Sequence, residues 1–169
     1  TNKAAAEMRS RVEALLKTDC RQMWISTFHA LCARLLRREA THIGLSRDFV
    51  IYDSSDQLAV VKEAIRSLGL DDGALQPRAV LSRISHAKNR MEKPGDGPQA
   101  GWNPREQQFE KLFELYANAL RDASALDFDD LLLKTVELFE TAETVRERYG
   151  RKFTHLLVDE YQDTNKPQY

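Results

Sequence analysis

The sequence has 169 residues, 42% hydrophobic and 30% charged, with a formal net charge of −1. That length supports one domain with a real core, or a domain and part of a second, and the composition excludes a disordered chain. No apolar run approaches the ~20 residues that span a bilayer, no charged-then-apolar leader opens the chain, and two cysteines, Cys20 and Cys32, do not make a disulfide framework, so a reducing, cytoplasmic setting is expected.

Residues 4–16 are Ala-rich, and Met8, Val12, Leu15 and Leu16 form an apolar stripe, which predicts a helix. Residues 22–26, with Met23, Trp24 and Ile25, read as a short strand. Thr27 is placed to cap a helix over residues 28–43 that Gly44 ends. Residues 49–52 are aromatic and β-branched. Asp53 and Ser54 offer caps for a helix through Leu68, stopped by Gly69, and Pro77 starts another that runs to about residue 90. Residues 94–104 are rich in Pro and Gly and read as a mobile loop. A long helix follows over 105–123, Asp127 caps one that runs to Phe139, and residues 144–149 add a short one. Residues 153–158 carry the continuous apolar run Leu156-Leu157-Val158, the pattern of a buried parallel strand.

The two buried-strand candidates, near Ile25 and near Val158, are separated by a long helical stretch. Typical connections are far shorter, so the economical arrangement is a parallel α/β core in which they are neighbours, with a helical subdomain inserted between. The near-zero net charge, taken alone, argues mildly against a nucleic-acid binder. Locally, Arg78, Arg83, Lys88, Arg90 and Lys93 crowd one stretch, opposed there by Glu92, and Arg34, Arg37 and Arg38 form a smaller cluster. A solvated helix face is the plain alternative for both.

The most informative string is His155-Leu-Leu-Val-Asp-Glu-Tyr-Gln-Asp-Thr-Asn165. An apolar strand ending in Asp159-Glu160 puts two carboxylates at the C-terminal edge of a sheet, where open α/β sheets bind ligands. Asp159 is the type of group that holds Mg²⁺ through water beside phosphate oxygens. Glu160 is the type that orients or deprotonates an attacking water. An exposed acidic turn that caps a following helix is the alternative for the bare Asp-Glu pair.

The whole string closely resembles the Walker B motif of superfamily 1 DNA helicases of the UvrD/PcrA/Rep type. Thr1-Asn2-Lys3-Ala4-Ala5-Ala6-Glu7-Met8 looks like that family's motif Ia, and Ser26-Thr27-Phe28-His29-Ala30 like its motif Ib. Leu126-Asp127-Phe128-Asp129-Asp130-Leu131 resembles the signature where the chain re-enters the motor core, and helix capping is the favoured role for its acids. The stretches from Ile51 to Gln57 and from Pro77 to Asn89 resemble the helical subdomain called 1B.

The resemblance implies an incomplete RecA-like core with a mostly helical insertion. Residues 1–45 would be the first part of core 1A, 46–123 the insertion 1B, and 124–169 the return to 1A. It implies an ATP- and Mg²⁺-dependent helicase that moves 3′ to 5′ on single-stranded DNA and opens duplex at single-strand/duplex junctions. Asp159 and Glu160 would be catalytic, with Asp159 toward Mg²⁺ and Asp159, Glu160 and Gln162 toward nucleotide. Thr1, Asn2, Thr27 and His29 would meet the DNA backbone, and Arg78, Arg83, Lys88 and Arg90 would grip duplex phosphates. The Gly-rich phosphate loop that such an enzyme needs is absent from these 169 residues and is expected before Thr1. The fragment alone is therefore expected to be inactive. A non-catalytic DNA-binding module, a carboxylate metal hydrolase and the helicase part of a RecB/AddA-like helicase-nuclease are the other readings.

Overall fold

A computed structural model describes residues 1–70, 75–96 and 103–169. In chain order the elements are α1 (Asn2–Leu16), α2 (Phe28–Glu39), a 3₁₀ turn (Ala40–Ile43), β1 (Val50–Ile51), α3 (Ser54–Ser67), α4 (Pro77–Asn89), α5 (Pro104–Asp122), β2 (Ala125–Leu126), α6 (Phe128–Thr141), α7 (Glu143–Lys152) and two 3₁₀ turns (Tyr161–Asp163 and Lys166–Gln168). Part of the expected loop over 94–104 lies outside the described residues.

The helix starts follow local chemistry. Thr27 Oγ1 accepts from the Ala30 amide at 3.3 Å and opens α2. Asp53 and Asp56 form a capping box at α3, and Asp127 and Asp130 form another at α6, so orphan amides of the first turn are satisfied by side chains. Pro77 and Pro104 sit in the first turns of α4 and α5, where a missing N–H costs nothing. After α2 the backbone tightens into a 3₁₀ turn before Gly44, whose φ of 72° favours a residue without Cβ.

Apolar side chains collect in two clusters. Val61 and Ile65 of α3, Val80 and Ile84 of α4, and Phe109, Leu112, Phe113, Tyr116 and Leu120 of α5 make the first. Leu35 and Leu36 of α2, Phe49, Leu131, Leu132 and Leu138 of α6, and Val145 and Tyr149 of α7 make the second. Between them lies a parallel two-strand ladder, Val50 opposite Ala125 and Ile51 opposite Leu126. Successive strand residues point to opposite faces, which sends Ala125 to the first cluster and Leu126 to the second.

The sheet therefore differs from the expected one. Residues 22–26 and 153–158 form no strand, and the parallel pair is made by segments 49–52 and 125–126 instead. A strand is held by a ladder, and neither segment meets an extended edge with which to exchange backbone hydrogen bonds among the described residues. Leu156 and Leu157 are 73% and 96% exposed as a result. The two segments do touch through rings: Trp24 and Phe153 lie edge to face with centroids 5.0 Å apart. Helix α1 forms as its sequence predicts, yet none of its residues is buried and Leu15 and Leu16 face solvent. No helix among the described residues is long and apolar enough to cross a membrane.

Candidate functional site

Thr1, Asn2, Thr27 and His29 come from the starts of two helices. Thr1 Oγ1 caps α1 by accepting from the Ala4 amide at 3.2 Å. Thr27 caps α2, and its hydroxyl also donates to Asn2 Oδ1 at 3.4 Å, which ties the two helix starts together. Both starts present positive dipole ends and backbone N–H groups, the features that receive phosphate. Thr1 and Asn2 are exposed, and Thr27 and His29 are half-buried. The His29 ring packs edge to face on Phe128 with centroids 5.8 Å apart. Burial holds its pKa below the ordinary histidine value, and the nearby Asp129 carboxylate opposes that shift. At neutral pH His29 is thus a neutral hydrogen-bonding group rather than a fixed cation.

Asp159 and Glu160 occupy a second, exposed place. Glu160 has left-handed backbone geometry, φ 51° and ψ 42°, which is uncommon for a residue with a side chain. Its amide donates to Asp159 Oδ1 at 3.0 Å, while Gln162 Nε2 donates to Glu160 Oε2. Asp159 Oδ2 carries no hydrogen bond among the described residues, so one oxygen of that carboxylate is open. No group of three or more His, Cys, Asp or Glu side chains among the described residues converges as a metal cage. Mg²⁺ in phosphate-transfer sites uses one or two carboxylates, waters and the substrate's own phosphates, and an exposed Asp159 fits that donor set. The Asp159–Glu160 pair and the Thr1–Asn2–Thr27–His29 group make no direct hydrogen bond or ion pair with each other among the described residues.

The basic stretch behaves differently from the expected phosphate grip. Arg78 is exposed and makes no ion pair among the described residues. Arg83 lies over the Phe109 ring, 3.8 Å from its centroid, and pairs with Glu106. Arg90 is paired with Glu92. Lys88 leaves the DNA-contact set: it is only 5% exposed, and its ammonium donates to Asp127 Oδ2 and Asp130 Oδ1, both at 2.7 Å. The reason is helical period. Val80, Ile84, Ala87 and Lys88 share the buried face of α4.

That ion-pair site was missed by the reading of the sequence. Tyr116 of α5 donates its hydroxyl to Asp127 Oδ2 at 2.8 Å, so α4, α5 and α6 meet on one carboxylate. Burial would lower the Lys88 pKa, but Asp130 and Asp127 outweigh it and raise it. Burial pushes Asp130 upward despite Lys88, because Asp127 adds a second negative charge. Burial likewise raises Asp129. Two carboxylates share one ammonium, so their charge holds Lys88 protonated while Lys88 only partly offsets the burial of Asp130. The available signal was a lysine at core spacing in α4 and an Asp127/Asp129/Asp130 triplet with a single cation, Lys134, in its own helix.

A family model described as the UvrD/REP helicase N-terminal domain matches residues 1–169. The chain belongs to this family. Curated relatives agree along the full chain. It is 45% identical to an ATP-dependent DNA helicase PcrA of Leuconostoc citreum, 42% to one of Staphylococcus epidermidis and 41% to one of Staphylococcus aureus. Each alignment covers 100% of this chain and 23% of the relative, so the chain spans less than a quarter of the length of these UvrD/REP-type proteins.

Proposed function

We propose that this chain is part of an ATP-dependent DNA helicase that couples Mg²⁺-ATP hydrolysis to 3′-to-5′ movement on single-stranded DNA and to opening of duplex at junctions. The observation that carries the reading is 41–45% identity to PcrA helicases along the whole chain. Residues 1–45 and 124–169 are assigned to motor core 1A and residues 46–123 to insertion 1B. The two apolar clusters support that division, since α3, α4 and α5 share one and α2, α6 and α7 share the other.

In this reading Thr1, Asn2, Thr27 and His29 receive DNA phosphates. The paired helix starts and the open Thr and Asn groups support that role, and such contacts carry no sequence information. Among the described residues Arg78 makes no ion pair and is placed to add a phosphate contact, whereas Arg83 and Arg90 would first exchange their carboxylate partners. Asp159 and Gln162 face nucleotide, with Asp159 Oδ2 toward Mg²⁺, and Glu160 is the base that orients the attacking water. The metal, when bound, neutralises phosphate charge. The 169 residues hold no Gly-rich phosphate loop, so this stretch on its own is expected to lack ATP turnover. The PcrA relatives are DNA helicases by name, which supports DNA as the partner in this reading.

The test is Glu160→Gln in the helicase that contains this chain. ATP turnover is expected to fall by about 10²–10⁴-fold, the range for loss of a positioned general base, while nucleotide binding stays near normal. Turnover close to wild type in that variant removes Glu160 from the chemistry.

A further inference from the structure

The acidic segment after Phe153 is held loosely. Among the described residues its hydrogen bonds stay within itself, with one exception. Asn165 Nδ2 donates to Asn89 Oδ1 at the end of α4, across 76 positions of sequence. Asn89 Nδ2 in turn donates to Asp129 Oδ1 of α6 at 3.3 Å and to the Ser85 carbonyl at 2.8 Å. Asp129 follows Phe128, whose ring packs edge to face on His29 with centroids 5.8 Å apart, and the Asp129 charge acts on that same imidazole.

The direction of these bonds is fixed by chemistry rather than by the assignment of amide atoms. A carboxylate and a carbonyl only accept, so the Asn89 NH₂ must face Asp129 and Ser85. Its oxygen is then left for Asn165, which must donate. The Asn165 oxygen remains to accept from the Gln168 amide at 3.3 Å, and the Gln168 side chain accepts from the Asn165 amide at 3.0 Å. A continuous polar line thus runs from the turn that follows Asp159 and Glu160, through α4, to the start of α6 beside α2. All four side chains are half-buried, where such bonds are stronger than in water.

We infer that Asn89 is a positioning residue that couples the acidic segment to the DNA-contact start of α2, through Asn165 on one side and Asp129 on the other. This rests on the helicase reading above. Asn89 touches neither nucleotide nor DNA. A shift of residues 165–168 on nucleotide binding would pull or release Asn89, and Asp129 would move against His29. The linkage is reciprocal, so DNA at His29 would bias the acidic segment equally.

The test uses the complete helicase with Asn89→Ala, Asn165→Ala, the double variant, and Asn89→Asp. Affinity for a labelled single strand is measured by fluorescence anisotropy, with and without a non-hydrolysable ATP analogue and Mg²⁺. The factor by which nucleotide changes DNA affinity is expected to drop about fivefold in Asn89→Ala, the worth of one ordinary hydrogen bond. DNA affinity without nucleotide should stay within about twofold, and the double variant should lose no more than either single one, as for residues of one network. Asn89→Asp keeps the acceptor for Asn165 and repels Asp129. It should hold the amides of residues 163–166 and 168 as protected from hydrogen exchange as in wild type, yet lose the nucleotide effect. Asn89→Ala should lose both. An unchanged nucleotide factor in a folded Asn89→Ala protein, or additive losses in the double variant, overturns the coupling and leaves the helicase reading intact. A wild-type protein whose DNA affinity ignores nucleotide overturns both.

Discussion

Replacing Lys88 by methionine keeps most of the side chain's length and deletes its charge. The ammonium sits 2.7 Å from each of two carboxylates and is almost fully buried, so its loss leaves Asp127 and Asp130 facing each other with the Tyr116 hydroxyl and the two capping-box amides as donors and no cation between them. Removing one side of a buried pair costs about 3–5 kcal/mol, against a total of about 5–15 kcal/mol for a typical domain. With a urea slope of about 2 kcal/mol per molar, the midpoint should move down by about 2 M. The melting temperature should fall by about 6–20 °C for a chain of this size. Urea and thermal unfolding followed by circular dichroism measure both. Adding Asp130→Asn to Lys88→Met should recover part of the loss, with a coupling of about 1 kcal/mol or more. A Lys88→Met cost within about 0.5 kcal/mol, the range of ordinary surface changes, would refute the buried ion pair and return Lys88 to the exposed face.

The same lysine gives a pH signature. Its pKa is raised in the folded protein, so its contribution is fully present below the ordinary lysine value of about 10.4 and is lost as pH rises through the raised value; Lys88→Met should flatten the alkaline limb of a stability–pH profile. Asp129 follows the same sign in the acid range. Its raised pKa means that the folded state binds the proton more tightly, so its contribution to stability declines as pH climbs from about 3.9 through the raised value, and Asp129→Asn should remove that decline. Thr27→Ala removes the α2 cap and should cost about 1 kcal/mol in unfolding, with weaker single-strand binding in the helicase; unchanged binding would confine Thr27 to capping. Arg78→Glu should weaken duplex-tailed DNA more than single strands, and equal losses on both would leave it a solvated side chain.

Much of the helical order is legible in the sequence because its signals are local. Asp53, Pro77 and Asp127 announce their helices within four residues, and the structure starts α3, α4 and α6 there. The strands were misread because a strand is a property of its neighbours. Leu156-Leu157-Val158 has the composition of a buried strand, but composition brings no ladder, and Val50–Ile51, a weaker pattern, forms one because Ala125–Leu126 lies alongside. Lys88 was misread for a related reason. A run of basic residues in sequence points in several directions around a helix, and only the period relative to Ile84 reveals which one turns inward. The Glu39 site shows the same limit: it is 6% exposed and accepts from Arg148 and Tyr149, more than 100 positions away.

The two-residue ladder has a consequence for how such a chain tolerates rearrangement. Ile51 and Leu126 are register partners, so the 73 residues from 52 to 124 depart and return at almost the same point, with backbones about 4.8 Å apart. Geometrically those residues form a cassette. A flexible bridge of a few residues from Ile51 to Ala125 would replace it without opening the cluster built on α2, α6 and α7. Lys88 and Tyr116 would leave with the cassette, but Asp127 and Asp130 would then be uncovered and rehydrated rather than stranded, and Asp127 would still cap α6. A segment that can be exchanged at so small a cost to its host is one that evolution can lengthen, trim or re-dress while the host stays the same.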